Sequence, residues 1–159
     1  MCFHGRLLES GPRVAAKRVV RSPAGLRLVS GHRGAGASLA AVVDGRSVDT
    51  TMGFTPLDGL VMATRSGSID PGLVLWLEEH EHLRPHDVAD ALEHESGLLA
   101  LAGTGDMREV EKRMRDGDRA ATLAFDVFVH ALVRGIGAMR AAAGGLDVLA
   151  FPGGLEEPS

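Results

Sequence analysis

Apolar and polar positions change their period along the chain, and each change marks a different kind of element. Up to residue 25 no pattern is sustained: Gly11-Pro12 and Ser22-Pro23 are breaks, and residues 14–20 between them predict a short helix. From Leu26 the apolar residues gather into short runs. Residues 26–30 predict a strand that stops at Gly31-His32-Arg33-Gly34-Ala35-Gly36, and residues 38–43 predict a second. Asp44-Gly45 is a two-residue hairpin signal, after which residues 47–51 return as a third strand. Three short strands joined in this way make an antiparallel meander.

Residues 52–71 have no period and are rich in Gly, Thr and Ser, a length at which structureless loops are usually functional. The period then becomes helical. Helices are predicted over 72–83, from Asp87 with Val88, Ala91 and Leu92 on one face, and from Asp106 with Val110 and Met114 inward. Asp106 reads as an N-cap with an acid, Glu109, at the third helical position. Asp118 caps the longest helix, whose inward positions are Ala124, Val127, Phe128, Ala131, Leu132, Gly135, Ile136 and Met139; Gly144-Gly145 ends it. Residues 146–151 predict a last strand running into Pro152-Gly153-Gly154. The class is α/β, without internal repeats.

Composition narrows the partners. With 45% hydrophobic and 24% charged residues the 159-residue chain can bury a core. A net charge of −4, 4% aromatic residues and no Tyr offer neither a basic surface nor a stacking platform, so no nucleic acid and no anionic membrane are expected. The single Cys2 allows no internal disulfide and points to a reducing compartment. No export signal is visible at the N-terminus. Asp126, His130, Arg134 and Arg140 interrupt the apolar region 120–145, which reads as a buried soluble helix rather than a membrane span. The expected location is cytoplasmic.

Four constellations could carry chemistry. In the segment 32–38, glycines would let backbone N–H groups approach a phosphate, although a Gly-rich hairpin is also simply a turn. It is no P-loop, because no Lys-Ser or Lys-Thr follows and a strand comes next. Arg65, between Thr64 and Ser66-Gly67-Ser68, either pairs bidentately with a phosphate or carboxylate or bonds to loop carbonyls. Asp106-Met107-Arg108 is either an N-cap alone or a contact to the sugar and base of a nucleotide. Gly153-Gly154 would let a nucleotide lie against backbone. The stretch Glu78-Glu79-His80-Glu81-His82, with His86, reads as a solvated helix end and not a metal site, because Pro85 breaks the helix that would align His82 with His86.

Taken together, in this order, these pieces resemble the acetokinase family of acetate kinases. Asp49-Thr50-Thr51-Met52-Gly53-Phe54-Thr55-Pro56-Leu57-Asp58-Gly59-Leu60 followed by Thr64-Arg65-Ser66-Gly67-Ser68-Ile69-Asp70-Pro71 is close to a family signature. Ser96-Gly97-Leu98-Leu99, Asp106-Met107-Arg108, the strand into Gly153-Gly154 and an opening Phe3-His4-Gly5 follow suit. Residues 1–25 match poorly and residues 26–159 match as part of a nucleotide-binding domain.

The resemblance implies an actin-like (ribonuclease H-like) ATPase fold, of which this would be a partial C-terminal domain with an antiparallel meander plus helices. It implies reversible transfer of the γ-phosphoryl of ATP, with Mg2+, to acetate, giving ADP and acetyl phosphate. Carried over by position, Arg65 would stabilise the phosphoryl in flight with His4 assisting. His32, Gly34 and Gly36 would cradle phosphates, while Asp106, Met107, Arg108, Gly153, Gly154 and Glu157 would hold the adenosine side. Implied partners are ATP or ADP, acetate or acetyl phosphate, and either a second copy in a homodimer or a separately encoded N-terminal half.

The sequence also departs from the family. Members are more than twice as long, so an upstream Asn, Lys, Arg and Asp of the site and a downstream Glu of the magnesium site are missing, and protein ligands for Mg2+ with them. Ala35 stands where the family's His-Leu-Gly-Asn-Gly has Asn, and Glu156 stands where Phe-Thr-Gly-Gly-Ile-Gly-Glu-Asn has Gly. The expectation is an acetate kinase-like phosphotransferase impaired by truncation. The alternative is a non-catalytic nucleotide-binding remnant or interaction module.

Overall fold

A computed structural model describes residues 25–33 and 36–151. The short helix expected over 14–20, and the candidates His4, Gly34, Gly153, Gly154 and Glu157, lie outside the described residues. The chain forms two compact units, Met1–Thr51 with Val133–Ser159 and, between them in sequence, Met52–Leu132.

The first unit contains a four-stranded sheet of order β3-β2-β1-β4, with β1 Arg27–Arg33, β2 Ala37–Val43, β3 Arg46–Thr50 and β4 Val148–Ala150. The expected meander is present: β1 pairs antiparallel with β2 from Arg27↔Val43 to Arg33↔Ala37, and β2 pairs antiparallel with β3. Asp44 and Gly45 both have positive φ (53° and 76°), as a two-residue hairpin turn with the twist of its strands requires. β3 is exposed along its length and carries Arg46 and Asp49, which suits an edge strand. β4 was foreseen as a strand over 146–151 but not its pairing. It runs parallel to β1, Leu28↔Val148 to Ser30↔Ala150, and makes the sheet mixed.

One expectation is corrected at β1. The strand does not stop at Gly31 but continues through His32 and Arg33. Gly31 pairs with Leu39 inside the strand, and what covers it explains why the residue is glycine. A Cβ there would fall 2.5 Å from Cδ1 of Phe151 and 3.0 Å from a Leu39 methyl, so glycine clears space for a ring instead of making a turn.

In the second unit, helices α1 Pro71–His80, α2 Pro85–His94, α3 Gly97–Ala102 and α4 Met107–Arg115 are followed by the start of α5, Arg119–Ala142. The predicted helix over 72–83 ends at His80, and His82 turns out of it with φ 53°. The helix expected to begin at Asp87 begins at Pro85, since proline at the first helical position loses only a donor that has no partner there. Asp87 instead pairs with Arg84. Leu98, Ala102, Val110, Ala121 and Ala124 form the buried cluster between α3, α4 and α5, with Met107, Met114, Phe125 and Phe128 around it.

Asp118 caps α5 as expected, accepting from the amides of Ala120 and Ala121 at 2.8 and 3.2 Å. Arg113 adds Nε and Nη2 to the same carboxylate and gives Nη1 to the carbonyl of Ala102, so one guanidinium joins three helices. Arg113 foremost, and then these amides, hold the Asp118 carboxyl below its ordinary 3.8. A lowered folded-state pKa stabilises the fold above the unfolded value and stops doing so as pH falls through the folded one. Asp118→Asn is therefore expected to melt lower than wild type near neutral pH and to lose less on going from about pH 4 to pH 2. Melting curves that fall in parallel over that interval would remove the linkage.

The helix α5 corrects a second expectation. It ends as foreseen, with Gly144 and Gly145 at positive φ and their amides bonded back to Ala141 and Arg140. It is not, however, a buried helix: Ala121, Ala124 and Met139 are buried, but Leu123 and Val133 are 54% and 61% exposed. The buried positions on it are mostly alanines, so its neighbours among the described residues cover a narrow stripe. By length and composition alone α5 is long and apolar enough to cross a membrane.

Candidate functional site

The loop that carries Arg65 is built from the unsatisfied ends of two helices. Every α-helix leaves its first N–H and last C=O groups without partners inside the helix. Here the loop supplies them. The carbonyls of Met62 and Ala63 accept from Leu98 and Leu99, the first donors of α3, at 3.0 and 2.9 Å, and Ser96 makes no side-chain cap there. On the other side, Ser66 N–H donates to Leu92 C=O at 3.1 Å and Thr64 Oγ1 donates to Glu93 C=O at 2.9 Å, both at the end of α2. Ser96 N–H donates to Thr64 C=O at 2.8 Å. Arg65 is thus held from both flanks, on a turn closed by its own carbonyl accepting from Met62 N–H at 3.1 Å.

Two glycines make this closeness possible. Gly97 has φ 62°, and any Cβ on it would meet the carbonyl oxygens of Met62 and Arg65, the latter at 2.7 Å. Gly67 has φ 72°, and a Cβ would lie 2.6 Å from the Leu60 carbonyl. The loop base is pinned by Asp58, which accepts from Ser68 Oγ at 2.5 Å and from Gly59 N–H at 2.7 Å.

The Arg65 guanidinium differs from the other half-buried arginines whose side chains are described. Arg27 gives Nε and Nη2 to Asp147 and Nη1 to Gly144 C=O, at 2.8–3.0 Å. Arg113 is committed in the same manner to Asp118 and Ala102. The Arg65 side chain is 29% exposed, and among the described residues it makes one ion pair, with Glu93 Oε1 at 3.5 Å, and no hydrogen bond. The reading in which Arg65 bonds to loop carbonyls is therefore not what the structure shows. A partly desolvated planar fork with open donors is suited to a phosphoryl group or carboxylate.

Asp106 and Arg108 lie in the same unit. The N-cap is as expected, with Asp106 accepting from Arg108 N–H at 2.9 Å, but Glu109 does not close the box directly: Thr104 Oγ1 bridges to it at 3.0 Å and accepts from Asp106 N–H. The Arg108 side chain folds back on Asp106 through Nε and Nη2 and holds that carboxyl below its ordinary value. Met107 packs against the helical cluster. A Cβ on Gly105 would lie 3.1 Å from Ala63, so the Arg65 loop and the Asp106 turn are neighbours.

His32 and Gly36 belong to the first unit. His32 is half-exposed in β1, opposite Ser38, and Gly36 directly precedes β2. Glu93 is a residue that sequence reasoning did not single out; a glutamate near a helix end has no signature of its own. Among the described residues no group of three or more His, Cys, Asp or Glu could hold a metal ion.

Solved structures share the fold. Porphyromonas gingivalis acetate kinase superposes with a TM-score of 0.83 at 36% identity, over 87% of this chain and 35% of that one. A propionate kinase from Francisella tularensis gives 0.88 at 38% identity, over 98% and 40%. The fold is accordingly α/β of the actin-like ATPase class, represented here in part. The model that describes the acetokinase family matches residues 2–159, and the chain belongs to that family. Acetate kinases of Microcystis aeruginosa and Streptomyces avermitilis are 46% and 44% identical over 158 and 155 residues. The chain spans about two fifths of the length of these curated relatives, 39% and 38%.

Proposed function

We propose that this chain is the nucleotide-side part of an acetate kinase-like phosphotransferase, catalysing ATP + acetate ⇌ ADP + acetyl phosphate together with a polypeptide that supplies the remaining length of its relatives. The observation that carries this reading is Arg65, a half-buried guanidinium with open donors on a loop held rigid by two helix ends. In the reaction a carboxylate oxygen of acetate bonds to the γ-phosphorus as the bond from that phosphorus to the β-bridging oxygen breaks, and ADP leaves. Acetate is already ionised near neutral pH, so no strong base is needed. The demand is for alignment and for positive charge at the equatorial oxygens, which Arg65 meets. Asp106, Met107 and Arg108 keep the adenosine-side role that the resemblance gives them, and His32, Gly34, Gly36, Gly153, Gly154, Glu157 and His4 keep their resemblance-derived roles. Mg2+ enters on the nucleotide, not on a protein cage. The acyl acceptor is acetate, with propionate the first competitor to test, and the location is cytoplasmic.

The test is ATP formation from acetyl phosphate and MgADP, read by luciferase. The purified chain is assayed alone and mixed with the parts of the Microcystis relative that lie on either side of the matched region. Activity in the mixture supports the proposal. Silence in the mixture with calorimetric binding of ATP would favour the non-catalytic nucleotide-binding reading, and silence without binding would overturn both.

A further inference from the structure

We propose that Glu93 is a built-in competitor for the anion site of Arg65, so that an incoming phosphoryl group must displace its carboxylate. The inference rests on the reading of Arg65 as the phosphoryl-binding group. Glu93 sits in the last turn of α2, and its backbone is fixed beside the loop because its carbonyl accepts from Thr64 Oγ1 at 2.9 Å. Its side chain is not fixed. Oε1 stands 3.5 Å from Arg65 Nη2, beyond hydrogen-bond length, and the side chain is 46% exposed. The carboxylate therefore screens the guanidinium without using its donors. A pair so loose and so open to water is weak. A phosphoryl group can bring more charge and several acceptor oxygens to the same donors, forming the shorter charge-assisted bonds that Glu93 does not make. Glu93 then turns out to solvent, where a carboxylate is well hydrated. In the empty protein the same carboxylate keeps a half-buried cation from standing uncompensated.

The test uses the whole chain and the Nε–H resonance of Arg65, assigned through Arg65→Lys, during titration with inorganic phosphate. Glu93→Gln keeps the shape and the backbone bond to Thr64 while removing the charge. It is expected to move the Arg65 resonance in the phosphate-free protein and to tighten phosphate binding about threefold at low salt, the size a half-exposed ion pair gives. The gain should fade as ionic strength approaches about 1 M. Glu93→Asp, which retains the charge, should bind phosphate much as wild type does. Equal or weaker binding by Glu93→Gln, with its melting temperature unchanged, overturns the competitor. Phosphate that moves the Arg65 resonance in neither chain overturns the anion site itself, and the competitor with it.

Discussion

Replacing Arg65 by alanine is expected to lower the proposed phosphoryl transfer by about a thousandfold or more, the loss typical when an arginine that neutralises a phosphoryl group in flight is removed. The fall should appear in kcat and leave the KM for ADP little changed, because the role proposed for the guanidinium is on charge that builds up in the transition state. Lysine at this position keeps the charge but not the planar fork, so Arg65→Lys should lie between wild type and alanine. Stability should barely change in either variant. The bonds that hold the loop run through the backbone of Met62, Ala63, Thr64 and Ser66 and the Thr64 hydroxyl, not through the Arg65 side chain. Rates are compared in the mixture with the flanking parts of the relative. A fall of less than tenfold would take Arg65 out of the chemistry.

The second large effect is on folding. Gly97→Ala is expected to destabilise the protein by about 3 kcal/mol or more, combining the cost of a left-handed backbone with a steric overlap that cannot relax. The overlap is with the carbonyl oxygens of Met62 and Arg65. Those atoms are backbone; Met62 C=O accepts from Leu98 and Arg65 C=O accepts from Met62, so neither can retreat without breaking a hydrogen bond of the loop or of the α3 N-terminus. Gly103 provides the comparison. It has φ 72°, close to that of Gly97, but a Cβ there meets nothing within 4 Å. Gly103→Ala should therefore cost only about 1 kcal/mol, the conformational part alone. Urea midpoints measure both. Equal shifts would mean that close approach to the loop contributes nothing at Gly97.

Much of the scaffold was legible in the residues because the interactions that make it are local. Asp44-Gly45, Asp106 and Asp118 each act within a few residues, on a turn or on the first amides of a helix, and each does what its type and position predict. The long signature from Asp49 to Pro71 likewise identified the family, which the match over residues 2–159 shows. The site was legible only as a set of residue types. Arg65 stood between two readings, and the choice between them depended on which of its donors other parts of the chain would use.

What the sequence by itself determined, then, is the α/β class, the family, the existence of every element but α3, the Asp44-Gly45 turn and the caps at Asp106 and Asp118. The tertiary structure alone decided the rest. It set β4 parallel to β1 across more than a hundred residues of chain, carried β1 through His32 and Arg33 by pairing them with β2, left the Leu123 and Val133 faces of α5 exposed, and brought Glu93 to Arg65. Each of these depends on contacts between residues distant in sequence. Period, propensity and spacing report a residue's neighbours along the chain, and carry no information on which atoms will meet across the fold.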